Sequence, residues 1–188
     1  MSPHWHEGPL DALVWDGASP VIWRAGDPGR GRREPLVAML LAHMAGAGVR
    51  FTRNGEGKPE VLSPHGWYIS LSGRGGLCLI AAARHPVAVD REIVDDMPPL
   101  WDMMSAREAA EVRAAPATAQ SRQWLRRWTI KEAHAKLVGT PRRIAPEAID
   151  TRLIDPVRAA AHHQGVSRCW TRERGDAIET VALWQDAA

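Results

Sequence analysis

Cysteine is nearly absent from this chain: Cys78 and Cys169 are the two it carries, far apart in sequence. They form no Cys-x-x-Cys pair, which argues against zinc ribbons and thioredoxin-like exchange. Both stand in apolar surroundings and read as small buried hydrophobes. No sign of charge is in excess. The formal net charge of +2 argues against a protein that coats nucleic acid, which needs a clearly basic face. No apolar run approaches the roughly 18–20 residues of a membrane span. The opening stretch MSPHWHEGPLDAL has neither a basic n-region nor an apolar h-region, so the expectation is a cytoplasmic protein without membrane attachment. The phosphate-cradling G-x-x-x-x-G-K-[ST] is missing, and so is a G-x-G-x-x-G after a strand. No Gly/Ser linker or low-complexity segment interrupts the chain.

Local patterning supplies the rest. Leu10–Trp15 and Val21–Trp23 each read as a short strand between turn formers. REPLVAMLLAHMAG, residues 33–46, reads as an amphipathic helix with Pro35 in its first turn and Gly46 at its stop. Arg30, Arg32 and Arg33 precede it, either as solvated loop charges or as anion ligands beside open helix amides. Asn54-Gly55 marks a turn, followed by Lys58-Pro59, where the proline biases the lysine to an extended backbone. Trp67–Leu71, Leu77–Ala83 and Val87–Val94 read as a meander of neighbouring antiparallel strands. Ser105 and Glu108 have capping-box spacing, predicting a helix to about Ala114 that stops at Pro116. A long helix then runs from Thr118 to Val138 and ends at Gly139. Val166–Arg172 and Ala177–Trp184 form a hairpin around Arg174-Gly175-Asp176. The expected organisation is α+β in two αβ lobes, residues 1–85 and 86–188.

Two stretches carry charge in informative places. In the strand V-A-V-D-R-E-I-V, alternation puts Asp90 and Glu92 on one face and Arg91 on the other. Two carboxylates side by side suit a hard divalent ion such as Mg²⁺; equally, charges of this kind guard a solvent-facing sheet edge. In the long helix, Trp124, Trp128, Glu132 and Lys136 recur every four residues. Glu132 and Lys136 are either an ordinary i,i+4 ion pair or half of a site for metal and phosphate. Arg122, Arg126 and Arg127, earlier on the same helix, read as a solvated face or as a docking face for an acidic partner.

The order of GKP at 57–59, LSGRGG at 71–76, VDRE at 89–92 and WTIKEAHAK at 128–136 resembles the 4'-phosphopantetheinyl transferases, specifically the surfactin-synthetase-activating (Sfp-type) class. That family carries a Gly-Lys-Pro segment, an Asn-x-Ser-His turn, a Gly-x-Asp-x-Glu strand and a Trp-x-x-Lys-Glu-Ala helix with a further lysine. The resemblance runs from residue 33 to Gly139. It implies a pseudo-symmetric monomer of two lobes, each an antiparallel sheet on a long helix, with coenzyme A between them and the metal site in the C-terminal lobe. Carried over, Asp90, Glu92 and Glu132 are the Mg²⁺ ligands, and Glu132 and Lys136 the catalytic pair. Arg30, Arg33, Lys58, Pro59, Ser72, Arg74, Lys131 and Lys136 are the coenzyme A contacts. The implied reaction moves phosphopantetheine to a serine of an acyl- or peptidyl-carrier protein. Two departures stand out: the Asn-x-Ser-His turn reads Ser70-Leu71-Ser72-Gly73, without its histidine, and the strand glycine is Ala88. The alternative is a paralogue of weakened activity that binds coenzyme A or a carrier protein.

Overall fold

A computed structural model describes residues 2–46, 48–55, 57–95 and 97–185. The described residues form an α+β structure of three α-helices with a four-stranded, a five-stranded and a two-stranded sheet. The chain divides into two compact units, the first ending at Val89 and the second starting at Asp90.

In the first unit, β1 (His4–Glu7), β2 (Val21–Gly26), β5 (Tyr68–Arg74) and β6 (Leu77–Ala83) make one sheet in the order β1-β2-β6-β5. The helix α1 (Glu34–Ala45) has Pro35 in its first turn, and Gly46, at φ 64°, closes it by donating its amide to Ala42 O. Its spacing turns Val37, Leu40, Leu41 and Met44 onto Trp23, Trp67, Ile69 and Ile80, the core of the unit. Two expectations are corrected here. β1 runs parallel to β2, so this sheet is mixed rather than antiparallel, and its helix has only 12 residues. Leu10–Trp15 forms a 3-10 turn at Leu10–Ala12 in place of a strand, because β1 and β6 already occupy both edges of β2. Leu13 is buried in the core instead, with its carbonyl accepting from His43 Nε2 at 3.0 Å. A separate hairpin, β3 (Arg50–Arg53) with β4 (Pro59–Ser63), carries the Asn54 turn.

The expected three-strand meander is also corrected. β5 and β6 pair antiparallel, but β7 (Val87–Ile93) leaves them for the five-stranded sheet β7-β11-β10-β9-β8. β6 is already flanked by β2 and β5 and has no edge left to offer.

The second unit contains α2 (Ala106–Ala114), α3 (Ala117–Val138), β8 (Asp150–Leu153), β9 (Arg158–His162), β10 (Val166–Arg174) and β11 (Ala177–Trp184). The β10–β11 hairpin turns at Gly175, φ 62°, where the sequence placed it. Gly139 caps α3 in the left-handed conformation. β8 and β9 escape a sequence reading because Asp-Thr-Arg-Leu and Arg-Ala-Ala-Ala-His are poor strand formers; they are held by pairing, β9 against β10 and β8 against β9. Trp101–Met103 is a 3-10 turn.

Candidate active site

The orientation of α3 decides what its charged residues can do, and buried polar ties along its length set that orientation. Thr129 Oγ1 meets Thr180 Oγ1 of β11 at 2.8 Å. Arg127 Nη1 donates to Thr151 Oγ1 at 3.0 Å, and its Nη2 reaches Glu111. His134 Nε2 donates to His163 O and its Nδ1 accepts from Ser167 Oγ, both at 2.8 Å. Burial lowers the proton affinity of His134, in keeping with the neutral ring these bonds need. Trp124 and Trp128, with centroids 5.5 Å apart, pack toward Met104 and Val112.

Lys131 is the strongest tie. Its side chain is 1% exposed, and its ammonium meets Glu108 Oε2 at 2.8 Å, Pro146 O at 2.9 Å and Ile149 O. Glu108 is fully buried and also closes the capping box of α2, accepting from Ser105 N at 2.8 Å, while its other oxygen accepts from Thr151 N at 2.7 Å. This corrects the expectation that Lys131 contacts coenzyme A: all its donors are satisfied inside the second unit. Glu108, legible in the sequence only as a capping residue, is a structural counterion.

With α3 fixed this way, Glu132 and Lys136 face β7. β7 is an edge strand, but Asp90 is 3% exposed and does not face solvent, and Lys136 Nζ donates to Asp90 Oδ1 at 2.6 Å. So Lys136 pairs across to the strand rather than with Glu132 along the helix. The Glu132 carboxylate makes no hydrogen bond or ion pair to a described residue. Burial raises its pKa above the usual carboxylate value; the charge of Asp90 adds to the rise, Lys136 opposes it, and Glu92 adds again. The charges of Asp90 and Glu92 therefore act on Glu132. On the opposite face of β7, Arg91 is buried against Glu179 of β11, whose second oxygen accepts from Arg172 Nε of β10 at 2.9 Å.

A hard divalent cation fits this donor set in kind: oxygen ligands only, from a strand and a helix, mutually repelling and partly buried. Among the described residues no three His, Cys, Asp or Glu side chains stand gathered for an ion, and Lys136 provides the positive charge on Asp90. Asp90, Glu92 and Glu132 are the residues that would hold the ion.

The first-unit candidates are more dispersed. Asn54 grips Lys58 at both backbone groups, its amide donating to Lys58 O and its side-chain oxygen accepting from Lys58 N, each at 3.0 Å. Lys58 and Pro59 line a cavity of about 290 Å³ with Trp67, Tyr68 and Pro86. Burial lowers the proton affinity of the Lys58 amine, and Glu60 opposes the shift. Ser72 is buried on the same face of β5 as Ser70, whose Oγ accepts from Val89 N at 3.1 Å. Arg74 and Arg30 are exposed.

Arg33 is a correction. Its Nε and Nη2 donate to the two carboxylate oxygens of Asp27 at 2.8 and 2.6 Å, so the guanidinium expected to meet a phosphate is already neutralised. The clamp lies directly over Gly73: a Cβ there would fall 2.2 Å from Arg33 Nη2 and 2.6 Å from Asp27 Oδ2. Gly73→Ala is expected to push the pair apart and destabilise by about 1–3 kcal/mol. Urea unfolding checks this, and in an Arg33→Ala background most of the penalty should vanish.

The arginine run of α3 is not a uniform docking face. Arg127 is buried, Arg122 pairs with Glu173 at 2.8 Å, and Arg126 turns into a cavity.

Compared with known proteins, residues 86–183, just over half of the chain, match the family model described as the 4'-phosphopantetheinyl transferase superfamily. No curated protein matches. The matched segment includes β7, α3 and the four residues Asp90, Glu92, Glu132 and Lys136.

Proposed function

Because the chain belongs to the 4'-phosphopantetheinyl transferase superfamily, we propose that it moves the phosphopantetheine arm of coenzyme A onto a serine of an acyl- or peptidyl-carrier protein, in the manner of the surfactin-synthetase-activating class. The observation that carries this reading is the Lys136–Asp90 pair, which joins α3 to β7 within the matched segment.

The serine oxygen forms a bond to the β-phosphorus of coenzyme A as the bond from that phosphorus to the leaving oxygen breaks. 3',5'-ADP departs with the electron pair. Glu132 takes the serine proton as the general base. Lys136, a quarter exposed and paired with Asp90, turns its ammonium to the phosphate oxygens on which charge grows. Asp90, Glu92 and Glu132 would hold a Mg²⁺ ion, which would supply charge neutralisation on the pyrophosphate. Lys58, Pro59, Ser72, Arg74 and Arg30 are the first unit's contacts for the coenzyme. No helix among the described residues is long and apolar enough to cross a membrane, and we place the protein in the cytoplasm as a monomer.

Incubation with Mg²⁺, coenzyme A and a panel of apo-carrier proteins tests the reading by intact mass. A phosphopantetheine adduct on at least one carrier is expected; none on any carrier sinks the proposal. The Arg33–Asp27 clamp over Gly73 favours one second reading, a protein that binds coenzyme A or a carrier with weakened turnover. Calorimetry separates the two: heat of coenzyme A binding without transfer supports the second.

A further inference from the structure

We infer that the second unit binds a small organic monocarboxylate in the cavity beside the first half of α3, with Arg126 as its anchor, a site separate from the proposed transfer chemistry. The cavity measures about 590 Å³ and lies between α3, the β8–β9 connection and β10. Four arginines and three carboxylates line it, and their pairing is uneven. Arg122 Nη1 meets Glu173 at 2.8 Å, Arg127 meets Glu111, and Arg172 Nε meets Glu179 at 2.9 Å. Asp155 is held by Arg158 Nε at 2.6 Å and by the amides of Val157 and Arg158. Arg126 alone among the lining arginines meets no carboxylate. Its Nε donates to Thr171 Oγ1 at 2.8 Å, and its Nη2 to Asp155 O at 2.6 Å and Arg158 O at 3.3 Å.

Neutral oxygens thus lock two nitrogens of the guanidinium, and Nη1 makes no hydrogen bond to a described residue. Arg126 is partly exposed, and a partly desolvated guanidinium with no paired carboxylate favours an added anion. Burial lowers its proton affinity, with Asp155 and Glu173 near enough to oppose the shift and Arg127 adding to it. An anion entering the cavity would meet a donor already fixed in place, so little ordering entropy opposes binding.

The lining narrows the ligand class. Three carboxylates around a single unmatched cation disfavour a dianion, which weakens binding of the HPO4²⁻ form of phosphate. Leu153, Ile154, Pro156 and Ile178 add an apolar wall, with Ile154 62% exposed. A single carboxylate on a short apolar body satisfies both.

The full-length protein, ¹⁵N-labelled, is titrated with butyrate and separately with inorganic phosphate at constant ionic strength. Arginine Nε–H resonances report the response. A saturable shift of the Arg126 resonance with butyrate is expected, with weaker binding of phosphate. Arg126→Gln should weaken butyrate binding about tenfold or more, followed on amide resonances. Ala119→Trp fills the cavity while keeping Arg126, should do the same, and carries the test if the first variant fails to fold. A non-saturating response, undiminished binding in Ala119→Trp, or phosphate binding as tight as butyrate overturns the inference. None of these readouts involves transfer, so either proposal stands or falls without the other.

Discussion

Glu108→Gln should destabilise the protein by about 3–5 kcal/mol, the cost of leaving a buried ion without its partner. The variant keeps size and shape and removes only the charge facing Lys131, an ammonium 1% exposed and otherwise held by two carbonyls. It also weakens the acceptor for Ser105 N and Thr151 N. By contrast, Arg122→Gln breaks an exposed pair to Glu173, an interaction class worth about 0–1 kcal/mol. Urea unfolding checks both. The double variant Glu108→Leu/Lys131→Met should recover much of the loss, since no charge is then stranded; equal destabilisation by single and double variants would contradict the pairing. Acid adds an independent check. Burial pushes Glu108 up, but Lys131, Thr151 and Ser105 outweigh it, leaving the carboxyl below its ordinary value. Its contribution is therefore present above the unfolded carboxylate pKa of about 4.3 and lost as pH falls through the lower folded value.

Glu132→Gln is expected to reduce transfer by about 10²–10⁴-fold while leaving the protein at least as stable. Burial and the charges of Asp90 and Glu92 disfavour the Glu132 carboxylate, and the amide relieves both. The linkage has the opposite sign to that of Glu108. A carboxyl whose folded pKa is raised contributes stability at low pH, and that contribution is lost as pH rises through the folded value. Glu132→Gln should flatten this loss, so activity and stability move in opposite directions, as at sites organised for chemistry. Asp90→Asn should also abolish transfer, but with some loss of stability because it uncouples Lys136. Wild-type rates in both variants would remove the metal and base assignments.

The sequence was legible where local chemistry decides the outcome. Ser105 with Glu108 and Gly139 delimit helices by hydrogen bonds made within a few residues, and Gly175 turns its hairpin for a similarly local reason. β7 was legible as a strand but not in its partnership, because which strand edge is vacant depends on β2 and β5, remote in sequence. Charge was the least legible property. Asp90, Glu132 and Lys136 stood out through spacing and resemblance. Lys131, one residue from Glu132, fits the same motif but points the other way, into a partner 23 positions upstream. Arg33 was assigned to a phosphate because Asp27 looks like any loop carboxylate until the chain brings its two oxygens to the guanidinium. Arg126 and Arg127 are adjacent and identical in type; a rotation of about 100° along the helix separates a structural cation from a cavity-lining one.

The Arg91–Glu179–Arg172 triad behind β7 also bears on how the site is assembled without error. Successive strand residues face opposite ways, so sliding β7 by one position would exchange Arg91 with its acidic neighbours. A guanidinium would then point at Lys136, and a carboxylate at the buried Glu179. Both mistakes bring like charges together where water cannot screen them. The alternation Asp-Arg-Glu thus acts as a check on alignment: the charge pattern that turns two carboxylates to one face makes the off-by-one sheet electrostatically untenable.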